Sequence, residues 1–209
     1  MKWIFFDLGA TLVDESDVYK ARCDFAVSHS DIGYEEFMKM VCDQAAVSAT
    51  PIVTAAKAIG VELPKWDKSL EKLYPAAPRV LSELYGKYKL GIIANQSLGT
   101  QERIDNWGIG KYFDVVIASA EAGCAKPDPG IFTMALEKAG CDPDEAIMIG
   151  DRLDNDIIPA KKLGMKTVWV RQGYAIYQKT DDESKRPDHI VDSIDELTEL
   201  MLPGTGRGM

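Results

Sequence analysis

Apolar positions along this chain fall into two kinds of run. Short continuous stretches, rich in β-branched and aromatic residues, occur at residues 3–7, 90–94, 115–118, 146–149 and 167–170, with a weaker one at 189–191. Runs apolar on both faces predict strands buried within a parallel sheet. Between them the apolar spacing becomes helical. Leu81, Leu84, Tyr85 and Tyr88 share one face of a helix that opens near Pro78, and Ile131, Met134, Ala135 and Lys138 repeat that spacing behind Asp128 and Pro129. Asp128 reads as an N-cap and Pro129 as the first helical residue. This alternation predicts an α/β fold, a Rossmann-like parallel sheet sandwiched by helices.

Residues 14–74 break the alternation. They contain no good strand but three helical stretches, at 18–27, 34–47 and 51–59, punctuated by Gly33 and Pro51. The expected organisation is therefore an α/β core of residues 1–14 and 77–202, a small helical unit at 15–76 inserted after the first strand, and a loose tail at 203–209.

Chemistry gathers at the strand ends. The first strand runs into Asp7, and Gly9 and Ala10 leave room for a ligand to approach the backbone. A second strand, at 146–149, runs into Gly150 and Asp151, with Asp154 and Asp156 following, three carboxylates within six residues. Such carboxylates repel one another unless a cation or water screens them. Magnesium, which prefers a few carboxylates together with waters and phosphate oxygens, suits Asp7 and Asp151 meeting at adjacent strand ends. Asp154 reads as an ordinary first-turn helix residue. Lys126, in the segment CAKPDPGIF, stands beside a helix start, placed to meet anionic oxygens and to hold two carboxylates close together.

In these motifs the chain resembles the haloacid dehalogenase superfamily. The family's strand-end nucleophile matches Asp7 in FFDLGATL, its post-strand hydroxyl position falls on Ala94 in LGIIAN, its lysine on Lys126 in AKPDP, and its acidic pair on Asp151 and Asp156 in GDRLDND. The resemblance implies a cap after the first strand that closes over the site and sets substrate choice. Only about twenty residues separate Lys126 from the next strand, too few for a cap there. It also implies phosphoryl transfer or phosphatase action on a small phosphorylated metabolite, through an aspartyl-phosphate at Asp7 with Lys126 stabilising charge. Implied phosphate contacts are Thr11, Ala94, Asn95 and Lys126; implied magnesium (Mg2+) ligands are Asp7, the Gly9 carbonyl, Asp151 and Asp156.

Two departures from the family pattern stand out. Phosphatases of the family carry a second Asp, two residues after the nucleophile, as general acid and base; here that position is Gly9. Their phosphate-binding Thr or Ser is here Ala94, with Ser97 a nearby hydroxyl. Asp14 and Glu15 would substitute for the missing acid only if their loop folds back; otherwise they begin the next helix. The departures keep other readings open. One is a catalytically impaired protein that binds magnesium and a metabolite. Another is a phosphonatase-like reaction using a cap lysine such as Lys20, Lys39 or Lys57. A third is a dehalogenase-like reaction, which needs no metal and so sits poorly with GDRLDND.

Composition narrows the partners. At 209 residues and 46% hydrophobic the chain is long enough to bury a sizeable core. A net charge of −9 and the absence of a Lys/Arg cluster disfavour nucleic acid, so an anionic substrate would be attracted locally, by the metal and Lys126. Cys23, Cys42, Cys124 and Cys141 are scattered without CxxC spacing, which suggests reduced thiols and a cytoplasmic location. The N-terminal apolar run stops at Asp7, too short for a signal or membrane helix. Tyr19, Phe25, Tyr34, Phe37 and Trp66 are candidates for a cap pocket or the cap's own core. Tyr174, Ile176 and Tyr177 suit an interface or a lid contact.

Overall fold

A computed structural model of the chain describes residues 1–47, 50–179 and 182–203. The expected tail thus falls almost wholly outside the described residues. In chain order the elements are β1 (Trp3–Phe6), β2 (Val13–Asp14), α1 (Ser16–Ser28), α2 (Tyr34–Ala45), α3 (Pro51–Ala58), β3 (Lys72–Leu73), α4 (Ala77–Leu84), β4 (Lys89–Ala94) and α5 (Thr100–Asn106). There follow β5 (Val115–Ala118), α6 (Ser119–Ala122), α7 (Pro129–Ala139), β6 (Ala146–Gly150), α8 (Ile158–Lys162), β7 (Lys166–Val170), β8 (His189–Val191) and α9 (Leu197–Met201).

Six strands form one parallel sheet in the order β5-β4-β1-β6-β7-β8. β1 lies at the centre, buried at all four residues. Ile4 and Phe6 pack into the core on one face, with Leu81, Leu84 and Ile92, while Trp3 and Phe5 pack on the other, with Ile131, Phe132 and Met148. That two-sided burial is why β1 reads as a continuous apolar run. Because the chain leaves β1 toward β4 and leaves β6 toward β7, the strand order reverses between β1 and β6. A crevice opens beyond their C-terminal ends, the usual ligand position in open α/β sheets.

Helices α1 to α3 form the insertion, built around their own core of Cys23, Ala26, Phe37, Val41, Ile52 and Ala56. The chain enters and leaves it through the antiparallel pair β2 and β3, with Val13 opposite Leu73 and Asp14 opposite Lys72. This small pair is a strand feature that the helical reading of 14–74 missed, being only two residues on each side. Gly33 caps α2 and Pro51 starts α3, as their positions suggest.

Two helix faces differ from expectation. α4 ends at Leu84, and Gly86 turns the chain at φ +82, so Tyr85 and Tyr88 face one another across a bridge instead of extending the helix. On α7 the buried stripe is Ile131, Phe132, Ala135 and Leu136, and Met134 is exposed. Asp128 does cap α7, accepting a hydrogen bond from the Gly130 amide, with Pro129 in first position. All four cysteines are free. Among the described residues no helix is long and apolar enough to cross a membrane.

Candidate active site

The site assembles where β1, β4 and β6 end. Asp7 follows β1, and its amide donates to the Ile149 carbonyl at 2.9 Å, fixing the strand end. The chain then turns sharply. Leu8 O accepts from the amides of Thr11, Leu12 and Val13, and Ala10 adopts a left-handed φ of 52. Lys126 lies buried across the crevice, its Nζ 2.6 Å from Asp7 Oδ1 and 2.6 Å from Asp156 Oδ1. Asp156 sits on a wide π-helical turn, Leu153–Ile157, and its Oδ2 also accepts from the Arg152 amide at 3.0 Å. Turns of this kind recur at functional sites. The close approach depends on Gly150, where a Cβ would lie 2.5 Å from Asp156 Cγ.

Asn95, just past β4, grips the Lys126 backbone on both sides. Its Oδ1 accepts from the Lys126 amide at 2.7 Å and its Nδ2 donates to the Lys126 carbonyl at 2.9 Å. The lysine is therefore anchored at its main chain and at its ammonium.

The electrostatics follow from burial. For Lys126, burial opposes the charge, but Asp156 and Asp7 outweigh it and hold the ammonium above the usual lysine range. Burial pushes Asp156 up to about 6, Lys126 pulling against it and Asp7 adding to it. Asp151 is raised well above the usual carboxylate range by burial, then by Asp156 and Asp7. Asp7, Asp151 and Asp156 present oxygens within 4.8 Å of one another. Hard oxygen donors at this spacing, two of them raised by burial and by one another's charge, fit a cation of magnesium type.

A cavity of about 270 Å³ opens over these groups. Asp7, Gly9, Asn95, Lys126, Asp151 and Asp156 line its floor, while Tyr19, Arg22, Ile52, Trp66 and Tyr174 close it from the helical insertion and the β7–β8 connection. Arg22 stacks over the Trp66 ring at 5.5 Å, and Tyr19 meets Trp66 edge-on. Thr11 and Ala94 are wholly buried and form no part of the lining. Ser97 also lies outside it, accepting a hydrogen bond from Lys68. Of the candidate aromatics Phe37 is insertion core, Phe25 packs at its margin, and Tyr34 is exposed. Lys20, Lys39 and Lys57 are exposed, away from the lining, so none is placed to act as a cavity Schiff base. Tyr174 packs against the insertion's core within 3.9 Å of Cys23 Sγ, while Ile176 and Tyr177 are exposed.

One lining residue runs against expectation. Glu15 does cap α1, but its side chain folds back and is only 8% exposed. Tyr19 Oη donates to its Oε2. Burial raises Glu15 to about 7; the Tyr19 hydrogen bond opposes this and the charge of Asp7 reinforces it. A Cβ at Gly9 would stand 2.5 Å from Glu15 Oε1. The only sequence signal for this contact was the glycine itself, at a position where the resembled family has a carboxylate.

A parallel α/β sheet with carboxylates and a lysine converging at its switch point defines a Rossmann-like α/β protein with an acidic site at the usual ligand position. The family of haloacid dehalogenase-like hydrolases matches residues 4–170, and the chain belongs to that family. It is 31% identical to glyceraldehyde 3-phosphate phosphatase of Pyrococcus furiosus, over 96% of this chain and 93% of that one. It is 34% identical to phosphoserine phosphatase of Thermus thermophilus, over 60% of this chain and 49% of the relative. Among solved structures, the putative HAD-hydrolase YfnB of Bacillus subtilis bound to magnesium shares the fold at TM-score 0.70, with 18% identity over 96% of this chain and 98% of that one.

Proposed function

We propose that this chain is a magnesium-dependent phosphatase acting on a small phosphomonoester through an aspartyl-phosphate at Asp7. The observation that carries the reading is the buried bridge of Lys126 between Asp7 and Asp156, 2.6 Å on each side, on the floor of a cavity of about 270 Å³. A lysine and a carboxylate held together out of water suit attack on an anion: the ammonium offsets the phosphoryl charge while the carboxylate approaches phosphorus. Asp7 and Asp151, with the Gly9 carbonyl, would hold the metal. Asp156 has both oxygens engaged and serves more to fix Lys126. When bound, magnesium supplies positive charge to the phosphoryl oxygens.

Asp7 attacks phosphorus and the ester P–O bond breaks. Water then displaces Asp7 from phosphorus and releases phosphate. In the resting site Lys126 is held charged, because Asp156 and Asp7 outweigh its burial. The helices α1 to α3 act as a cap that excludes water from the reacting groups. The cavity suits a compact substrate, in keeping with the three-carbon phosphates named for the relatives from Pyrococcus furiosus and Thermus thermophilus.

The test is phosphate release from a panel of three-carbon sugar phosphates, phosphoserine, nucleoside monophosphates and an aryl phosphate, with magnesium and with chelator. Turnover that requires magnesium and disappears in Asp7→Asn is the expected result. A second reading, binding without turnover, is favoured only by Gly9 and Ala94. It predicts that no panel member is hydrolysed while inorganic phosphate binds with magnesium present.

A further inference from the structure

We propose that Glu15 is the general acid and base of this site, reaching the reacting atoms through the space left by the missing side chain of Gly9. The inference rests on the phosphatase reading and identifies the group that moves its protons.

Hydrolysis of an alkyl phosphomonoester requires a proton for the leaving oxygen and later the removal of one from water. The described lining residues offer few groups for this. Asp7 is the nucleophile. Asp156 is engaged on both oxygens, by Lys126 and by the Arg152 amide. Asp151 lies within metal-sharing distance of both. Lys126 is locked between two carboxylates. Arg22 and Arg152 do not give up protons near neutral pH, Tyr19 is already donating to Glu15, and neither histidine lines the cavity. Glu15 is the remaining carboxyl group.

Its geometry fits the task. A Cβ built on Gly9 would meet Glu15 Oε1 at 2.5 Å, Cδ at 3.0 Å and Oε2 at 3.1 Å. The carboxyl group thus fills the volume that a side chain two residues beyond the nucleophile would claim. Tyr19 holds Oε2, and Oε1 is the oxygen nearer to Gly9 on the floor. An orienting hydroxyl behind a carboxyl group is the arrangement a proton-transfer residue needs.

The protons balance. As the Asp7 oxygen to phosphorus bond forms and the ester bond breaks, the Glu15 carboxyl protonates the departing alkoxide, giving the alcohol and a Glu15 carboxylate. That carboxylate next takes a proton from water as the water oxygen bonds to phosphorus and the Asp7–phosphorus bond breaks. Phosphate, the Asp7 carboxylate and the Glu15 carboxyl result.

The experiment compares an alkyl phosphate, glycerol 3-phosphate, with 2,4-dinitrophenyl phosphate, whose leaving group needs no proton. The variants are Glu15→Gln, Glu15→Ala, Gly9→Asp, Asp7→Asn and the exchange Gly9→Asp with Glu15→Ala, each checked for folding by thermal denaturation. Glu15→Gln is expected to lose a hundred-fold to ten-thousand-fold in kcat/KM on the alkyl ester. On the dinitrophenyl ester it is expected to give a burst of dinitrophenol followed by slow turnover, with phosphoenzyme accumulating. Gly9→Asp alone clashes with Glu15 and should lower activity, whereas the exchange variant should recover at least ten-fold over Glu15→Ala alone. Glu15→Gln retaining wild-type kcat on glycerol 3-phosphate, or losing both substrates equally without a burst, overturns the assignment of Glu15. A wild type inactive on both esters, or an active Asp7→Asn, overturns the phosphatase reading itself.

Discussion

The absence of one side chain shapes this site. Gly9 removes one side chain, and Glu15 comes in over it, buried and held by Tyr19. Around it stand Asp7 after β1, Asp151 after β6, Glu71 and Tyr74 flanking β3, and Arg103 on α5. Since burial raises the folded-state value from 4.5 to about 7, folded protein holds the Glu15 proton over a range where unfolded chain has released it. Stability contributed by that proton is complete below about pH 4.5 and lost as pH rises through about 7. The full span corresponds to roughly 3 kcal/mol at most. Urea denaturation without divalent ions should therefore show Glu15→Gln gaining on wild type between pH 5 and pH 8; parallel pH curves would count against the buried carboxyl. Asp7, Asp151 and Lys126 were legible in the chain because each sits in a recognisable strand-end or helix-start context. Glu15 and the Asn95 clamp on Lys126 were not, since each depends on a neighbour distant in sequence or on a side chain that is missing.

The elements carry the site on backbone geometry as much as on packing. The tight turn after β1 places Ala10 at a left-handed φ of 52, and the connection after β7 brings Gly173, at φ 57, against it. A Cβ on Gly173 would stand 2.9 Å from that of Ala10, and Gln172 donates to the Ala10 carbonyl at 3.1 Å. Gly173→Ala therefore meets both a crowded contact and an unfavourable φ. It should destabilise by about 2 kcal/mol, read as a lowered Tm, with a further loss of activity because the turn bearing Asp7 is displaced. Strands were easier to locate from the sequence than helix faces, for a physical reason. A strand buried on both sides declares itself by unbroken apolar character, whereas on α7 the choice between Phe132 and Met134 turns on what the sheet offers beneath. Likewise, nothing in the apolar spacing of Tyr85 and Tyr88 shows that Gly86 reverses the chain between them.

At the scale of the molecule, a chain of net charge −9 concentrates three buried carboxylates at one point and offsets them with one lysine. Carboxyl groups held this close would bind a divalent cation in the folded state alone. Magnesium at a hundred times its Kd should add about 2.7 kcal/mol of stability, visible as a rise in Tm. Asp151→Asn should abolish most of that rise while leaving the metal-free protein folded. An equal magnesium effect in wild type and Asp151→Asn would mean that the ion binds elsewhere.

On its proposed role, the position of Glu15 in the chain has a kinetic consequence. It directly follows β2, the first of the two strands through which the helical insertion joins the sheet, and it begins α1. Asp7 and Lys126 sit on the sheet side, so the proposed nucleophile and the proposed proton carrier belong to different elements. A swing of α1 about the β2–β3 pair would withdraw Oε1 without disturbing the Lys126 bridge. On the proposed roles, readiness would be a matter of timing: with the insertion apart from the sheet the nucleophile would wait without its proton partner, and a ligand that drew the two together would set the clock for its own cleavage.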